Sequence, residues 1–221
     1  MKLPNVLVYL FCSILMSLTA CDESNRPDCN CEGPTTMYEY KGKQHKLTLV
    51  TNKAYLLVTH PEILSDLPEG IVLEREPEKV PPAIGNPVNE ADVKRFNGYY
   101  FAILKGNIAK LDLSKPGILY RGPYYLDEEN DLVCATHLLF VKLKKSEDLP
   151  KLQKVAKMKG INVLIQHPSM PLWYELGVEN PRMLPMVSIA NEMNKSQEFD
   201  IVEVAFMGDK PLDLYPFPAI K

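Results

Sequence analysis

This sequence has no basic patch. Its 25 lysines and arginines are outweighed by 28 acids, for a formal charge of −3. Proteins that hold nucleic acid do so largely by neutralising phosphates, so nucleic acid is not an expected partner. Cysteine is scarce, five in 221 residues. Cys29 and Cys31 form a C-x-C pair without the third and fourth ligands that a closed zinc site needs, and the C-x-x-C of metal chaperones is missing. The acidic run 127–131 (DEEND) lacks the alternating oxygen ligands, mid-loop glycine and closing glutamate of a calcium loop, and reads as a hairpin turn with solvated charges. No metal or cofactor is expected. The one strongly apolar run near the start, 6–18, is too short to cross a bilayer comfortably. No internal repeat is clear.

An ordinary globular composition remains, 46% apolar and 24% charged, which is enough for a real core. The 19 prolines cluster at 76–87 and 211–218, where extended connections and a stiff end are expected. At the start, Lys2, the apolar run and Leu18-Thr19-Ala20-Cys21 together resemble a bacterial lipoprotein signal. The resemblance implies cleavage after residue 20, acylation of Cys21 and attachment to the membrane through that lipid alone. Asp22 and Glu23 resemble the acidic export signal of Bacteroidetes lipoproteins carried to the outer face. Residues 21–36 hold almost no apolar side chains and read as a flexible tether.

The folded part begins at 37. Alternating runs at 37–50 and 52–59 read as strands separated at Thr51-Asn52-Lys53, the first with its own turn at Lys41-Gly42-Lys43. A helical turn opens at His60-Pro61, and a short strand follows at 71–74. Asn89 caps one or two amphipathic turns. Further strands fall at 98–105, 118–121, 124–126 and 132–135. Residues 138–206 then give strand (138–143), helix (147–159), strand (161–166), strand (172–178), helix (185–197) and strand (199–206). That order is the split β-α-β, or ferredoxin-like, sandwich, an antiparallel sheet with both helices on one face. Ser146 is the expected cap of the first helix, and Leu149, Leu152, Val155 and Ala156 its buried stripe. Met186, Ile189, Ala190 and Met193 are the inner face of the second. Trp173 and Tyr174 point to opposite faces of their strand. The fold class expected is α+β: a β-rich domain over 37–136, a ferredoxin-like domain over 137–207 and a proline-rich tail over 208–221. Cys134 reads as a small buried hydrophobe.

Several phrases carry a further resemblance. They are Leu139-Phe-Val-Lys-Leu-Lys144, Ala156-Lys-Met-Lys-Gly160 with Ile161-Asn-Val-Leu-Ile165, and Met170-Pro-Leu-Trp-Tyr-Glu-Leu176. To these are added Ala190-Asn191 with Phe199 and Glu203, and the upstream Tyr38-x-Tyr-x-Gly-Lys43. Together they are similar to the N-terminal pro-region of subtilisin-like serine peptidases from Bacteroidetes, over about residues 37 to 206. In that family the pro-region runs on into a catalytic domain, whereas this sequence stops at Lys221. A subtilisin-type triad needs serine, histidine and aspartate in their own local phrases, and none of those phrases occurs. His45, His60, His137 and His167 sit in strand or proline contexts and read as surface or satisfied residues. No catalytic residue is assigned.

What the resemblance implies is a non-catalytic, lipid-anchored envelope protein that binds a subtilisin-like peptidase as inhibitor or chaperone. The open face of strands 138–143, 161–166, 172–178 and 199–206 would dock on the peptidase. The tail would enter its cleft, with Leu212, Leu214, Tyr215 and Phe217 offering the apolar side chains that substrate pockets accept. The alternative is a surface lipoprotein that keeps the scaffold for a binding or structural role unrelated to proteases.

Overall fold

The computed structural model describes residues 32–40, 42–178 and 185–208. Residues 1–20, Cys21, Cys29, Cys31 and the tail side chains Leu212, Leu214, Tyr215 and Phe217 lie outside them. The chain is α+β and mostly antiparallel sheet.

Strand β1 (Glu32–Tyr40) starts inside the stretch expected to be tether. It turns through Gly42, at φ +73, into β2 (Lys43–Val58). The expected break at Thr51-Asn52-Lys53 is a bulge within one strand of 16 residues, not a turn. Val50 pairs with Tyr124 and Ala54 with Pro123, so three residues of β2 are extra to the pairing on that side, while Lys53 pairs with Lys105 on the other. A 3-10 turn (Pro61–Ser65) leads to β3 (Ile71–Lys79), which runs five residues past its expected end. The two-residue β4 (Asn86–Pro87) and helix α1 (Glu90–Phe96) follow. Asn89 caps α1 as expected, its Oδ1 accepting the Ala91 N–H at 3.0 Å. Next come β5 (Tyr100–Gly106), β6 (Ile118–Leu126) and β7 (Leu132–Lys142). The acidic run between β6 and β7 is a hairpin turn held by Asp127, whose Oδ1 accepts the N–H groups of Glu129 and Asp131 at 2.9 Å each.

The remainder is α2 (Leu149–Met158), β8 (Ile161–Gln166), β9 (Trp173–Val178), α3 (Met186–Lys195) and β10 (Ile201–Gly208). Ser146 does not cap α2; it opens a 3-10 turn (Ser146–Asp148) that feeds the helix. Gly160 ends the helix region at φ +67, a conformation that costs a residue without Cβ little. Leu152 and Ala156 are buried and Leu149 and Val155 pack beside them, so the expected stripe is the inner face. In α3, Met186, Ile189, Ala190 and Met193 are all buried, joined by Val187.

The sheet order is β3-β5-β2-β6-β7-β9-β8-β4, with β1 beside β2 and β10 beside β7. In the C-terminal part the neighbours run β10-β7-β9-β8, each pair antiparallel, with α2 linking β7 to β8 and α3 linking β9 to β10. The boundary expected between 136 and 137 falls inside β7. That strand pairs with β6 at its first residues and with β9 at its last, so the two halves share one sheet.

Packing follows the alternation of the strands. In β2 and β5, Ala54, Leu56, Val58, Ala102 and Leu104 enter an aliphatic cluster with Leu64, Ile71, Ile108, Leu111 and Ile118. Their neighbours Tyr55, Leu57, Phe101 and Ile103 enter the larger cluster that also holds the cores of α2 and α3. Cys134 is fully buried there. Of the adjacent aromatics in β9, Tyr174 is the core residue and Trp173 is half-buried.

β1 and β10 are tied together from above by two asparagines of α3. Asn191 Oδ1 accepts the Glu39 N–H at 3.0 Å, and its Nδ2 donates to Met37 O at 2.6 Å. Asn194 Nδ2 donates to Glu39 O at 3.3 Å and to Val202 O at 3.0 Å, while its Oδ1 accepts the Val202 N–H at 3.1 Å. The Val204 N–H donates to Tyr38 Oη at 2.9 Å. These bonds satisfy backbone groups that an edge would otherwise leave open.

Candidate functional site

Two bulges, one helix and the proline-rich strap build a cavity at the junction of the two halves. The first bulge lies in β7. Val204 pairs with Leu139 and Phe206 with Ala135, so Thr136, His137 and Leu138 stand opposite the single residue Ala205. Thr136 stitches the bulge, its Oγ1 donating to Ala205 O at 2.7 Å and accepting the Leu138 N–H at 3.3 Å. A bulge re-aims side chains that regular pleating would send elsewhere, and here it brings His137 to the cavity. The second bulge is in β8, where Val163 pairs with Leu176 and Ile165 with Glu175, leaving Leu164 as the extra residue.

The strap leaves β3 and crosses to the far edge, where Asn86 pairs with Gln166 and the Val88 N–H donates to Leu164 O at 2.9 Å. Its residues Val80, Pro81 and Ala83 roof the cavity. Asn97 fixes the strap through Oδ1, which accepts the Ala83 N–H at 3.2 Å. Phe96, the last residue of α1, lies on Gly177. A Cβ at that position would sit 2.5 Å from the Phe96 ring, so glycine is what lets α1 come down onto β9.

The cavity has a volume of about 90 Å³. Its floor is Leu138, Phe140, Leu164 and Glu175, and its walls include Tyr55, Phe96, Phe101, Ala205 and Met207. Four of its rings run nearly parallel. Phe101 and Tyr55 are 5.6 Å apart at 14°, Tyr55 and His137 5.8 Å at 13°, and His137 and Phe96 6.3 Å at 9°. Offset stacking of this kind adds to the burial energy of each ring.

The polar inventory of the lining is short. Thr136 is occupied as above, and Asn97 is bonded through Oδ1, with no bond of its Nδ2 among the described residues. Tyr55 Oη lies 2.8 Å from His137 Nδ1, and both residues are buried. Burial raises the Tyr55 pKa well above its ordinary value, so the phenol keeps its proton. Burial also lowers the imidazole to about 3, so His137 is neutral. If Tyr55 donates to Nδ1, the one group left over is the Nε2–H. The opposite tautomer would orphan both the tyrosine hydrogen and the Nε2 lone pair, so the first arrangement costs less. Nε2 is buried and has no hydrogen-bond partner among the described residues. Glu175 is 9% exposed, and burial alone raises its carboxyl to about 7. The site therefore offers one buried donor and one buried carboxyl inside an apolar, aromatic wall.

The sequence reading set His137 among satisfied or surface residues. It is half satisfied, with one ring nitrogen bonded and the other not. The face of β7, β8, β9 and β10 expected to lie open carries this cavity and, on its β8–β9 part, is covered by the strap and α1. Glu175, Tyr55 and Phe96 were not singled out from sequence. The available signal was a glutamate inside the apolar strand WYELGV, since an acid at such a position needs a reason to be buried.

Elsewhere, no three ligating side chains converge among the described residues in a way that would hold a metal. Among them no helix is long and apolar enough to cross a membrane. No family model, curated protein or solved structure matches the chain.

Proposed function

We propose that the chain is a non-catalytic binding protein of the bacterial cell envelope, held at the outer membrane by a lipid on Cys21. Its ligand seat is the cavity beneath α1. The observation that carries this reading is two polar side chains on the lining of a mostly apolar cavity: His137, whose Nε2 is buried with no hydrogen-bond partner among the described residues, and Glu175, whose carboxyl is raised to about 7 by burial. An orphaned buried donor costs about 1–3 kcal/mol, and burying an acid is costly as well. Sites that carry such costs are commonly sites of binding.

The test is a screen of small apolar fragments by ligand-observed NMR against the full chain and against Ala83→Trp, which places an indole in the roof. Binding to the first and not to the second, with both proteins melting alike, supports the site. Equal binding to both would move the ligand elsewhere. For the anchor, Cys21→Ala should remove lipid labelling, and normal labelling of that variant would refute it.

A second reading is favoured by strand order. Neighbours β10-β7-β9-β8 with two crossing helices support a ferredoxin-like sandwich over 137–207, the fold implied by the resemblance to subtilisin-type pro-regions. On this reading the partner is a subtilisin-like peptidase, with Leu212, Leu214, Tyr215 and Phe217 of the tail in its cleft. The cover of α1 and the strap over part of the docking face weighs against it. Absence of inhibition and of complex at micromolar concentrations, using a subtilisin-like peptidase from the same organism, would end this reading.

A further inference from the structure

We infer that the chain's own C-terminal segment, 209–221, docks back on the cavity, with Leu212 and Leu214 closing it until an apolar guest displaces them. The inference rests on the proposed ligand seat and names what regulates access to it.

The cavity lies where the last strand ends. Met207 of β10 lines it, and the next residue, Gly208, closes the strand. Met207 and Gly208 also border a second groove, together with Lys53, Glu74, Ile103 and Tyr124. Arg75 lines that groove as well, and its guanidinium lies 5.3 Å over the ring of Phe101, a wall of the cavity. Through Met207 and the Arg75–Phe101 contact, groove and cavity form one path, and the path begins at Gly208.

The sequence beyond Gly208 suits that path. Asp209 and Lys210 come first, beside a groove that carries both signs in Lys53, Arg75 and Glu74. Pro211, Pro216 and Pro218 favour extended backbone, in which Leu212 and Leu214 share one side. An extended chain carries Leu212 up to ~13 Å from the end of β10. The enclosed space of about 90 Å³ is smaller than the roughly 150 Å³ cavity that admits benzene. It therefore takes a leucine side chain better than the rings of Tyr215 and Phe217. Val80, Phe101, Leu138, Leu164 and Met207 give that leucine an apolar seat.

Attachment decides the occupant. A segment joined to the rim is present at an effective concentration on the order of mM, so a free peptide of the same composition at micromolar concentration loses the competition. A guest has to displace the leucines, and its apparent affinity falls by the fraction of time the cavity is open.

The experiment compares the full chain with full-length Leu212→Ser/Leu214→Ser, both carrying methyl-labelled methionine and both titrated with toluene. In the native chain, methyl–methyl cross-relaxation should link Met207 to the two leucines. The Met207 methyl resonance should move in the variant before toluene is added. Toluene should bind the variant about fivefold tighter or more, as for a native cavity open about a fifth of the time. Equal affinity for both proteins, with an unmoved Met207 resonance, places the segment elsewhere; the inference then fails while the ligand seat stands. A larger gain in Tyr215→Ser/Phe217→Ser than in the leucine variant would make the rings the plug and overturn the assignment to Leu212 and Leu214. If toluene binds none of these proteins, the seat fails and its regulation with it.

Discussion

The two faces of β2 and β5 differ in kind although the same strands supply both. One face sends Ala54, Leu56, Val58, Ala102 and Leu104 into an aliphatic cluster sealed by the two 3-10 turns near Leu64 and Ile108. The other sends Tyr55 and Phe101 toward His137, Phe96 and a cavity. In the first, all the buried side chains are hydrocarbon. In the second, aromatic rings surround a histidine whose Nε2 has no partner among the described residues and a glutamate whose carboxyl is raised by burial. A saturated apolar layer can only stabilise, whereas a layer that buries an unmatched donor and an acid gives up stability and keeps a capacity to bind. The comparison separates the part of the molecule that holds it together from the part that can act.

Damage to the sealed face should leave the cavity face as it is. Leu104→Ala removes a fully buried side chain and should cost about 2–5 kcal/mol in a denaturant melt. Fragment binding to the remaining folded protein should be unchanged. A lost ligand would mean that the two faces are one cooperative unit.

A smaller effect belongs to the cavity face. Folded Glu175 releases its proton near pH 7, while an unfolded glutamate does so near 4.5. Between these values the folded chain holds a proton that the unfolded chain has lost, so this term alone lowers stability by about 3 kcal/mol as pH rises from about 4.5 to about 7. His137 acts in the opposite sense: its folded pKa near 3 lies below the ordinary 6.5, so its term lowers stability as pH drops from about 6.5 toward 3. The two nearly cancel between about 4.5 and 6.5, where stability is greatest and flat. Glu175→Gln removes only the first term, so the variant should gain about 2 kcal/mol between about pH 5 and about pH 8 while the native chain changes little. Urea melts at the two pH values decide it; a variant as flat as the native chain would move the alkaline titration to another group.

The smallest effect concerns neither face. Asn191→Ala removes two bonds to the backbone of β1 and should cost about 1–3 kcal/mol. Amide exchange at Glu39 should quicken while binding in the cavity stays the same. Unchanged exchange would show that β1 is held by its pairing with β2 alone.

Much of the architecture was legible in residue order. The stripe Leu149, Leu152, Val155, Ala156 and the spacing Met186, Ile189, Ala190, Met193 marked the inner faces of α2 and α3, because side chains three and four apart share a helix face. The cap at Asn89, the turn at Gly42 and the acidic hairpin were equally readable, since each depends on one or two neighbouring residues. The strand boundaries were harder. Thr51-Asn52-Lys53 looks like a turn in one dimension and is a bulge only because β6 lies beside it. Tyr120 and Tyr124 belong to one strand across Gly122-Pro123 for a similar reason. A Cβ on Gly122 would lie 2.2 Å from Ala135 O, and glycine lets β7 pass close by.

Residue order alone set the periodicities, and with them an α+β fold with antiparallel pairing and two amphipathic helices. Those features are written in side chains a few residues apart. Tertiary structure alone brought Phe96, His137 and Glu175 to the lining of one cavity, because they lie on α1, β7 and β9 and no local rule relates them. It also decided that the face of β7 and β9 left free by α2 and α3 is roofed by the chain's own strap. That outcome depends on where the proline-rich segment crosses the sheet and on Gly177 leaving room for a ring. Whether a buried histidine is satisfied is likewise a question about its neighbours in space, which here answer for Nδ1 and not for Nε2.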